Sequence, residues 1–268
     1  MLTTKIFPES TYSVDECMTY ETLQKFYESG LTVAGKALRF DEANQLIEVN
    51  LGGGIIGKLP ISETTIYPIF KADGSISPYI FTIIGNIIRV KIKSLKSDNI
   101  ILSRKENMLD ALENIRKNSE KITKAGILGF SKLNVFLDVG EGIQGKIYIT
   151  NLIPVMVDHI KDLELELNSI IPIKILGFKE ELQKFEASHS LTIPPVENVL
   201  SEGDVVLGKV FNVVSNSSGY AHFVLIKNSY AGILDDPKKI LKYGDIVVVF
   251  IKKIKEDNKL KLTFVKKI

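Results

Sequence analysis

Apolar residues alternate with polar residues in three short stretches of the chain, and each stretch runs through a bend into a second short apolar stretch. The first, at residues 48–63, reads EVNLGGGIIGKLPISE; the second, at residues 136–151, reads FLDVGEGIQGKIYITN; the third begins at Phe223 as FVLIKNSYAGILDD. Alternation with a period of two predicts strands that bury one face, and glycine or asparagine between them predicts tight turns. The pattern therefore predicts three β-hairpins.

The first two hairpins are copies of one another. Aligned without a gap at a spacing of 88 residues, they share 6 of 16 positions, comprising three glycines, two isoleucines and one lysine. Self-similarity at this spacing is typical of tandem structural units. The glycines at residues 52–54 precede a second strand instead of a helix, so we interpret them as hairpin and bulge positions and not as a phosphate-binding loop.

Two segments have helical periodicity instead. The sequence Ser-Val-Asp-Glu from Ser13 has the spacing of a capping box and predicts a helix that ends at Gly30. Residues 105–118 place Met108, Leu112 and Ile115 on one face, which predicts a helix between the first two repeats.

Sequence around the hairpins extends the repeat. Val33-Ala-Gly-Lys-Ala-Leu precedes the first hairpin, and Gly85-Asn-Ile-Ile-Arg-Val-Lys-Ile and Ile100-Ile-Leu-Ser-Arg-Lys follow it. Residues 201–268 repeat the scheme, while the second copy fades after Asn151, where residues 172–176 and 183–188 are interpreted as its last two strands. These motifs resemble the S1 RNA-binding domain, an OB-fold barrel, as it occurs in short relatives of bacterial ribosomal protein S1.

The resemblance implies an all-β fold with short linking helices, made of three tandem S1/OB-fold five-stranded barrels. The domains it predicts are an N-terminal segment with a short helix (1–30), repeat one (31–105), a linker helix (106–118), a divergent repeat two (119–193) and repeat three (194–268).

Composition narrows the function classes. The single cysteine, Cys17, excludes an internal disulfide framework, and no apolar run approaches the length of a membrane span. With no apolar segment of signal-peptide length at the start either, we expect a cytoplasmic protein without a membrane partner. The net charge of +2 conceals an alternation, because residues 85–124 and 201–268 each carry a net charge of +5 and the rest of the chain is acidic. Lysine-rich segments of this kind suit either a solvated face or a polyanion partner.

The resemblance also implies which residues contact RNA. The aromatic pair on the second strand of each S1 domain corresponds to Gln45 and Glu48, to Leu133 and Phe136, and to Tyr220 and Phe223 in the three repeats. The histidine on the third strand corresponds to Pro60, Tyr148 and Asp235, and the basic residue near the last strand to Asn99, Lys184 and Lys259. Repeat one therefore lacks the expected contacts, and repeats two and three retain most of them. The candidate nucleic-acid-binding residues are Tyr220, Phe223, Phe136, Tyr148, Lys184, Lys259, Lys261 and Lys209.

One alternative concerns the strand register. A slip of one residue would place Phe136 and Phe223 in the barrel cores, but Val135 and Leu137 on one strand and Val224 on the other offer apolar partners of the opposite parity. We therefore expect both phenylalanines to face outward.

No catalytic or metal-binding pattern is present: the three histidines, His159, His189 and His222, have no partners at triad or metal-ligand spacing. We expect no enzyme activity and no cofactor. The leading hypothesis is a non-enzymatic, single-stranded RNA-binding protein acting in translation or messenger-RNA handling, with repeat one contacting a ribosome or another protein. The alternative is a protein-interaction scaffold with degenerate barrels that docks on a ribosome or an RNA-processing assembly.

Overall fold

The computed structural model describes residues 8–96, 99–117, 121–179, 184–216, 219–235, 241–255 and 259–268. Within these residues the strands close into three barrels of five strands each. The predicted all-β fold with three tandem five-stranded barrels is confirmed.

Barrel 1 has the strand order β1-β2-β3-β5-β4 and contains the first hairpin as β2 and β3. Its strands are β1 (Thr32–Asp41), β2 (Leu46–Gly52), β3 (Ile55–Pro60), β4 (Ile87–Lys96) and β5 (Asn99–Ser103). The parallel pairing of β3 with β5 closes the barrel, and closure removes the unpaired strand edges.

Barrel 2 repeats the topology, with the order β10-β8-β7-β6-β9. Its strands are β6 (Ile122–Phe130), β7 (Asn134–Asp138), β8 (Gln144–Tyr148), β9 (Ile170–Lys179) and β10 (Lys184–Ser188). The two strands predicted after Asn151 correspond to β9 and β10, and Gln183 lies outside the described residues.

Barrel 3 has the order β11-β12-β13-β15-β14. Its strands are β11 (Val205–Asn216), β12 (Gly219–Ile226), β13 (Tyr230–Asp235), β14 (Ile246–Ile254) and β15 (Leu260–Lys267). The third hairpin is β12 and β13, which pair without a register shift.

Alternation places one parity of each hairpin strand inside its barrel. Ile47 and Val49 of β2, Leu137 of β7, and Val224 and Ile226 of β12 are fully buried. Burying a side chain of this size contributes ~1.5–3 kcal/mol relative to leaving it exposed. The inward positions of the hairpins thus account for much of each core.

The glycine repeated in the second hairpin strand has a packing role. A Cβ atom on Gly57 would lie 2.6 Å from Leu102 of β5, and one on Gly232 would lie 2.4 Å from Leu262 of β15. Because β3 pairs with β5, and β13 with β15, at this point, the missing side chain lets the closing strand approach.

Three α-helices accompany the barrels in the described residues: α1 (Tyr20–Ser29), α2 (Pro78–Thr82) and α3 (Lys105–Lys117). The predicted end of α1 is confirmed, since Gly30 adopts the left-handed conformation at φ 64°. The prediction for residues 105–118 corresponds to α3, and Asn118 lies outside the described residues.

The predicted start of the first helix at Ser13 is wrong. The helix begins at Tyr20, and the Thr19 side chain caps it by accepting a hydrogen bond from the Thr22 amide. Asp15 instead organises a turn in which its side chain accepts a hydrogen bond from the Cys17 amide at 3.0 Å. The backbone of this turn packs on the first hairpin, where the Gly53 amide donates to the Glu16 carbonyl. A capping-box spacing is thus used for a turn against a glycine-rich bend.

The chain divides into two compact units. Unit 1 contains barrel 1 with its preceding segment, α3, and the described parts of 121–129, 136–146 and 167–186. Unit 2 contains residues 130–135 and 147–166 with the described part of 187–268, including barrel 3.

Candidate nucleic-acid interface

Barrel 3 carries a row of side chains across its outer face. Strand registers place Phe223 beside Ile233, Ile233 beside Lys261, and Lys261 beside Lys253. Directly opposed residues on neighbouring strands point to the same side of a sheet, with Cβ atoms ~4.5–5.5 Å apart in antiparallel pairs. The row therefore joins one aromatic ring and one aliphatic side chain to two exposed lysines.

Phe223 faces outward, as its parity predicted. Its neighbours Val224 and His222 are fully buried, while Phe223 is partly covered. The ring packs edge-on against Phe211 of β11, with the ring centroids 6.3 Å apart. This contact fixes the orientation of the ring on the outer face.

Tyr220 does not share that face. It lies three residues before Phe223 on a strand without a bulge, so the two side chains point to opposite sides. Tyr220 lies near the start of β12, 39% exposed, with its ring centroid 6.4 Å from that of the buried His222. The structure therefore brings Phe223 together with Lys261 but separates it from Tyr220.

The other candidates of barrel 3 lie around this row. Lys259 directly precedes β15 and lines a cavity together with Phe223. Lys209 is partly buried on β11 and pairs with Leu225 and Ile246, on the far side of a β-bulge from Phe223. The side chain of Asp235 lies outside the described part of the structure.

In barrel 2 the outward positions of the hairpin are occupied by Phe136 on β7 and Tyr148 at the end of β8, which are 43% and 42% exposed. Lys184 opens β10, and its ammonium group lies 5.8 Å from the centre of the Tyr67 ring. Partial burial and the neighbouring Lys146 lower the pKa of Lys184. Leu133 precedes β7 and has the parity of the buried Val135, opposite to Phe136.

A groove of about 830 Å³ in unit 1 brings Phe136 and Lys184 together with other basic side chains. Its walls include Phe136, Lys146, Lys179, Lys184 and Lys36. Two of these lysines share one carboxylate, since Lys179 and Lys146 lie 3.0 and 3.4 Å from Glu186. The groove combines an exposed ring with a net positive lining of these side chains.

Barrel 1 has a different arrangement at the same register. Glu48 occupies the position that Phe223 has in barrel 3, and Arg39 opposite it forms a two-point ion pair at 2.7 and 2.8 Å. These hydrogen bonds hold the pKa of Glu48 below its usual value. Lys58, on the other side of Glu48, donates to Asn99 at 3.1 Å. In this row a carboxylate stands where barrel 3 has an aromatic ring, and Arg39 pairs with it.

Unit 1 also contains a buried polar cluster that sequence reasoning missed. Arg104, 1% exposed, donates two hydrogen bonds to the Glu9 carboxylate, at 2.9 and 2.6 Å. Asp138, in the second hairpin, accepts from the backbone amides of Glu9, Gly140 and Gly142 at 2.7–3.0 Å. Burial, followed by the charge of Glu9, raises the pKa of Asp138 to about 7.

The second hairpin contributes another acid to this cluster. Glu141 pairs with Arg89 of β4 and accepts hydrogen bonds from Asn107 at 2.9 Å and from Tyr12 at 3.1 Å. Burial raises the pKa of Glu141, and the facing Arg89 opposes that effect. The bend that the sequence presented as a simple turn is thus a structural contact. A signal was available, since Glu141 replaces the middle glycine of the first hairpin.

In unit 2 the acidic segment before β9 contacts barrel 3. The Asp158 carboxylate lies 3.5 Å from the side-chain amide of Asn212, and Glu164 accepts a hydrogen bond from the side-chain amide of Asn228 at 3.1 Å. Asp162 accepts a hydrogen bond from the Tyr243 hydroxyl. The hydrogen bond to Asp162 raises the pKa of Tyr243 to about 12. These contacts hold the segment at residues 158–164 against the barrel.

In the described ranges, no group of three His, Cys, Asp or Glu side chains is placed to hold a metal ion. His222 is buried, and its Nε2 lies 3.1 Å from the Leu241 amide, which indicates a structural role. The same part of the chain contains no helix that is both long and apolar enough to cross a membrane.

Comparison with known proteins shows similarity to bacterial ribosomal proteins. The chain is 23% identical over 265 residues to small ribosomal subunit protein bS1 of Staphylococcus saprophyticus, covering 90% of this chain and 62% of that protein. It is 25% identical over 186 residues to bS1 of Staphylococcus aureus, covering 68% of this chain and 45% of that protein. The chain thus spans about half the length of the curated relatives it matches. No protein-family model matches it.

Solved structures align more weakly. A multidomain protein with nucleic acid binding domains from Streptococcus pneumoniae covers 88% of this chain and 74% of its own at 10% identity, with a TM-score of 0.27. GSP13 from Bacillus subtilis covers 31% of this chain and 72% of its own at 21% identity, with a TM-score of 0.26. With its three five-stranded barrels, the chain is similar to S1-domain repeat proteins.

Proposed function

We propose that this chain, a three-barrel protein similar to bacterial ribosomal protein S1, binds single-stranded RNA without catalysing a reaction. Barrels 2 and 3 supply the contacts, and the protein shows little preference among bases. Rings stack on any base and lysines attract any phosphate, so an interface built from both is tolerant of sequence.

The observation that carries the proposal is the cross-strand row on barrel 3. Phe223 offers a ring to a base, and Lys261 and Lys253 lie two and three strands away in the same row, where they would attract the phosphates of an RNA that crosses the sheet. A base stacked on an aromatic side chain contributes ~1–3 kcal/mol. A single row therefore supports weak binding.

Barrel 2 adds a second module, in which Phe136 is the exposed ring and Lys184 and Lys146 are the cations in the same groove. Two weak modules on one chain bind a long RNA more tightly than either does alone, because the second contact forms at a high effective concentration.

Barrel 1 has a separate role in this proposal. The Arg39–Glu48 pair neutralises the equivalent face, and a carboxylate there repels phosphate, so we assign barrel 1 to contact with a ribosome or another protein. The named relatives are ribosomal proteins, which supports a cytoplasmic role in translation or messenger-RNA handling.

The test is a fluorescence-anisotropy titration of a labelled 15-nucleotide single-stranded RNA with the full chain at several salt concentrations. We expect Phe223→Ala to weaken binding about 5- to 100-fold, and Lys261→Ala to weaken it while reducing the salt slope by about 1. Lys58→Ala is the matched control, because Lys58 lies in the corresponding row of barrel 1, and it should bind like the wild type. Binding that is absent, or equal in all four proteins, would refute the proposal.

The alternative is a protein-interaction scaffold. It is favoured by the exposed Phe70 and Phe81 in the segment between β3 and β4 of barrel 1, since exposed aromatic side chains often mark protein contacts. A scaffold would retain its partner in the Phe223→Ala variant and lose it in a Phe70→Ser/Phe81→Ser variant, whereas an RNA-binding protein would show the reverse dependence for RNA.

A further inference from the structure

We infer that the outer face of barrel 3 contains a pocket for one unstacked RNA base, and that residues outside the barrel form its rim. This inference rests on the proposed RNA binding and specifies how barrel 3 holds a base. Its basis is an apolar cavity of about 520 Å³ in unit 2, directly beside Phe223.

The inner wall of the cavity is formed by barrel 3. Phe211 and Phe223 supply two rings, and Ile233 supplies an aliphatic surface beside Phe223. The rings are held edge to face, with centroids 6.3 Å apart. A flat, weakly polar base can stack on one ring while the other borders its edge.

The outer wall comes from two segments before barrel 3. One contains Met156, 79% exposed, and the other contains Leu191, 58% exposed, and Pro194. Exposed apolar side chains at the mouth of an apolar cavity are suited to covering the second face of a ligand. The site is therefore a pocket and not the open platform that the barrel alone would present.

Both outer segments are fixed to barrel 3, so the pocket is formed before a ligand binds. The Tyr230 hydroxyl donates to the Pro194 carbonyl at 2.8 Å, and Val196 is fully buried in the barrel core. After Met156, Val157 is buried, and Asp162 accepts a hydrogen bond from the Tyr243 hydroxyl. A preformed pocket loses less conformational entropy on binding than a mobile one.

Charge favours a nucleotide over an apolar protein side chain as the occupant. Lys259 lies in the cavity wall, and the row beside Phe223 continues into Lys261 and Lys253. A phosphate next to a pocketed base would lie within the field of these lysines. The hydroxyl-bearing Ser190 and Ser229 also line the cavity and offer partners to the polar edge of a base.

The test compares two ligands, a 15-nucleotide oligouridylate and an abasic ribose-phosphate oligomer of the same length, in anisotropy titrations with the full chain. The rim variant is Met156→Ser/Leu191→Ser. The matched control is Val205→Ser/Leu207→Ser, on β11, because Leu207 has the same 58% exposure as Leu191 and lies outside the cavity lining. All four positions are exposed, so neither variant should unfold the barrel.

We expect the rim variant to bind oligouridylate 5- to 20-fold more weakly than the wild type, with unchanged binding of the abasic oligomer and no effect of the control variant. A rim variant that binds oligouridylate like the wild type overturns the pocket while leaving the proposed RNA binding intact. Equal losses for both oligomers also overturn it, since the effect would not act through the base. A wild-type protein that binds neither oligomer refutes the proposed function itself.

Discussion

The buried ion pair between Glu9 and Arg104 gives the most direct test of what holds unit 1 together. Replacing Glu9 with glutamine keeps the shape of the side chain but removes the carboxylate that lies 2.6 Å from the buried guanidinium of Arg104. Removing one partner of a buried pair costs ~3–5 kcal/mol, and ionisation of Asp138 offsets part of that cost, because the charge of Glu9 is one of the causes that raise the pKa of Asp138. Glu9 Oε1 also accepts from the Arg89 amide at 3.0 Å, so part of the hydrogen bonding of β4 is weakened as well.

Two further variants separate the charge effect from a loss of packing. Glu9→Leu/Arg104→Met removes both charges, so its cost should fall to the ~1–3 kcal/mol expected for the donors left unpaired. Glu113→Gln is the control, since Glu113 and Lys117 are also 2.6 Å apart but both are more than two-thirds exposed. An exposed pair contributes ~0–1 kcal/mol, so this variant should be almost neutral.

The assay is native-state hydrogen exchange measured by mass spectrometry on peptides covering β4 and α3. It reports the opening free energy of this region without requiring the whole chain to unfold in one step. We expect Glu9→Gln to lower that free energy by several kcal/mol and the double variant by less. Equal small effects of Glu9→Gln and Glu113→Gln would refute the argument that burial makes the difference between the two pairs.

Two other predictions concern the hairpins. The pKa of Asp138 is raised from 3.8 to about 7 in the folded protein. Between these values the folded state binds a proton that the unfolded state has released, so the stability of the protein should fall as pH rises from about 4 to 7. At about 1.4 kcal/mol per pH unit, the full loss is on the order of 4 kcal/mol. Urea unfolding at pH 5 and pH 8 should show most of this loss, roughly 3 kcal/mol, in the wild type and a flatter profile in Asp138→Asn. Gly53→Ala should cost barrel 1 ~2–4 kcal/mol, because its Cβ would meet the Met18 carbonyl at 1.9 Å in addition to the left-handed strain. Gly54 also has a positive φ, but a Cβ atom there would meet open space. Thermal unfolding of Gly54→Ala should therefore show a cost of only about 1–2 kcal/mol.

The barrels were predictable because alternation and repetition act locally. Phe223 and Val224 are adjacent apolar residues of one strand, and the alternation of sides along the strand determines which of them enters the core. The start of α1 was not predictable in this way. Ser13 and Thr19 are both good caps by residue type, and the choice depends on the turn at Asp15 packing against the glycines of a hairpin more than 30 residues away.

The candidate interface was predictable in part, because alternation along a strand also determines which side chains face outward. Position-by-position comparison with the S1 domain selects Phe223 and Lys259 but groups Tyr220 with them, although three residues along a regular strand reverse the side. The rim residues Met156 and Leu191 could not be found at all, since only the fold brings them to the cavity beside Phe223.

The charge balance of the buried cluster contributes to the raised pKa of Asp138. Three acids, Glu9, Asp138 and Glu141, face two arginines, Arg89 and Arg104, in a largely buried cluster. With every group ionised, the cluster would carry one uncompensated negative charge, which is costly at low dielectric. Protonating one acid removes that charge. Glu9 has two hydrogen bonds from Arg104, and Glu141 has Arg89, whereas Asp138 accepts only from backbone amides among its hydrogen bonds given above. Burial and the charge of Glu9 therefore raise the pKa of Asp138 to about 7.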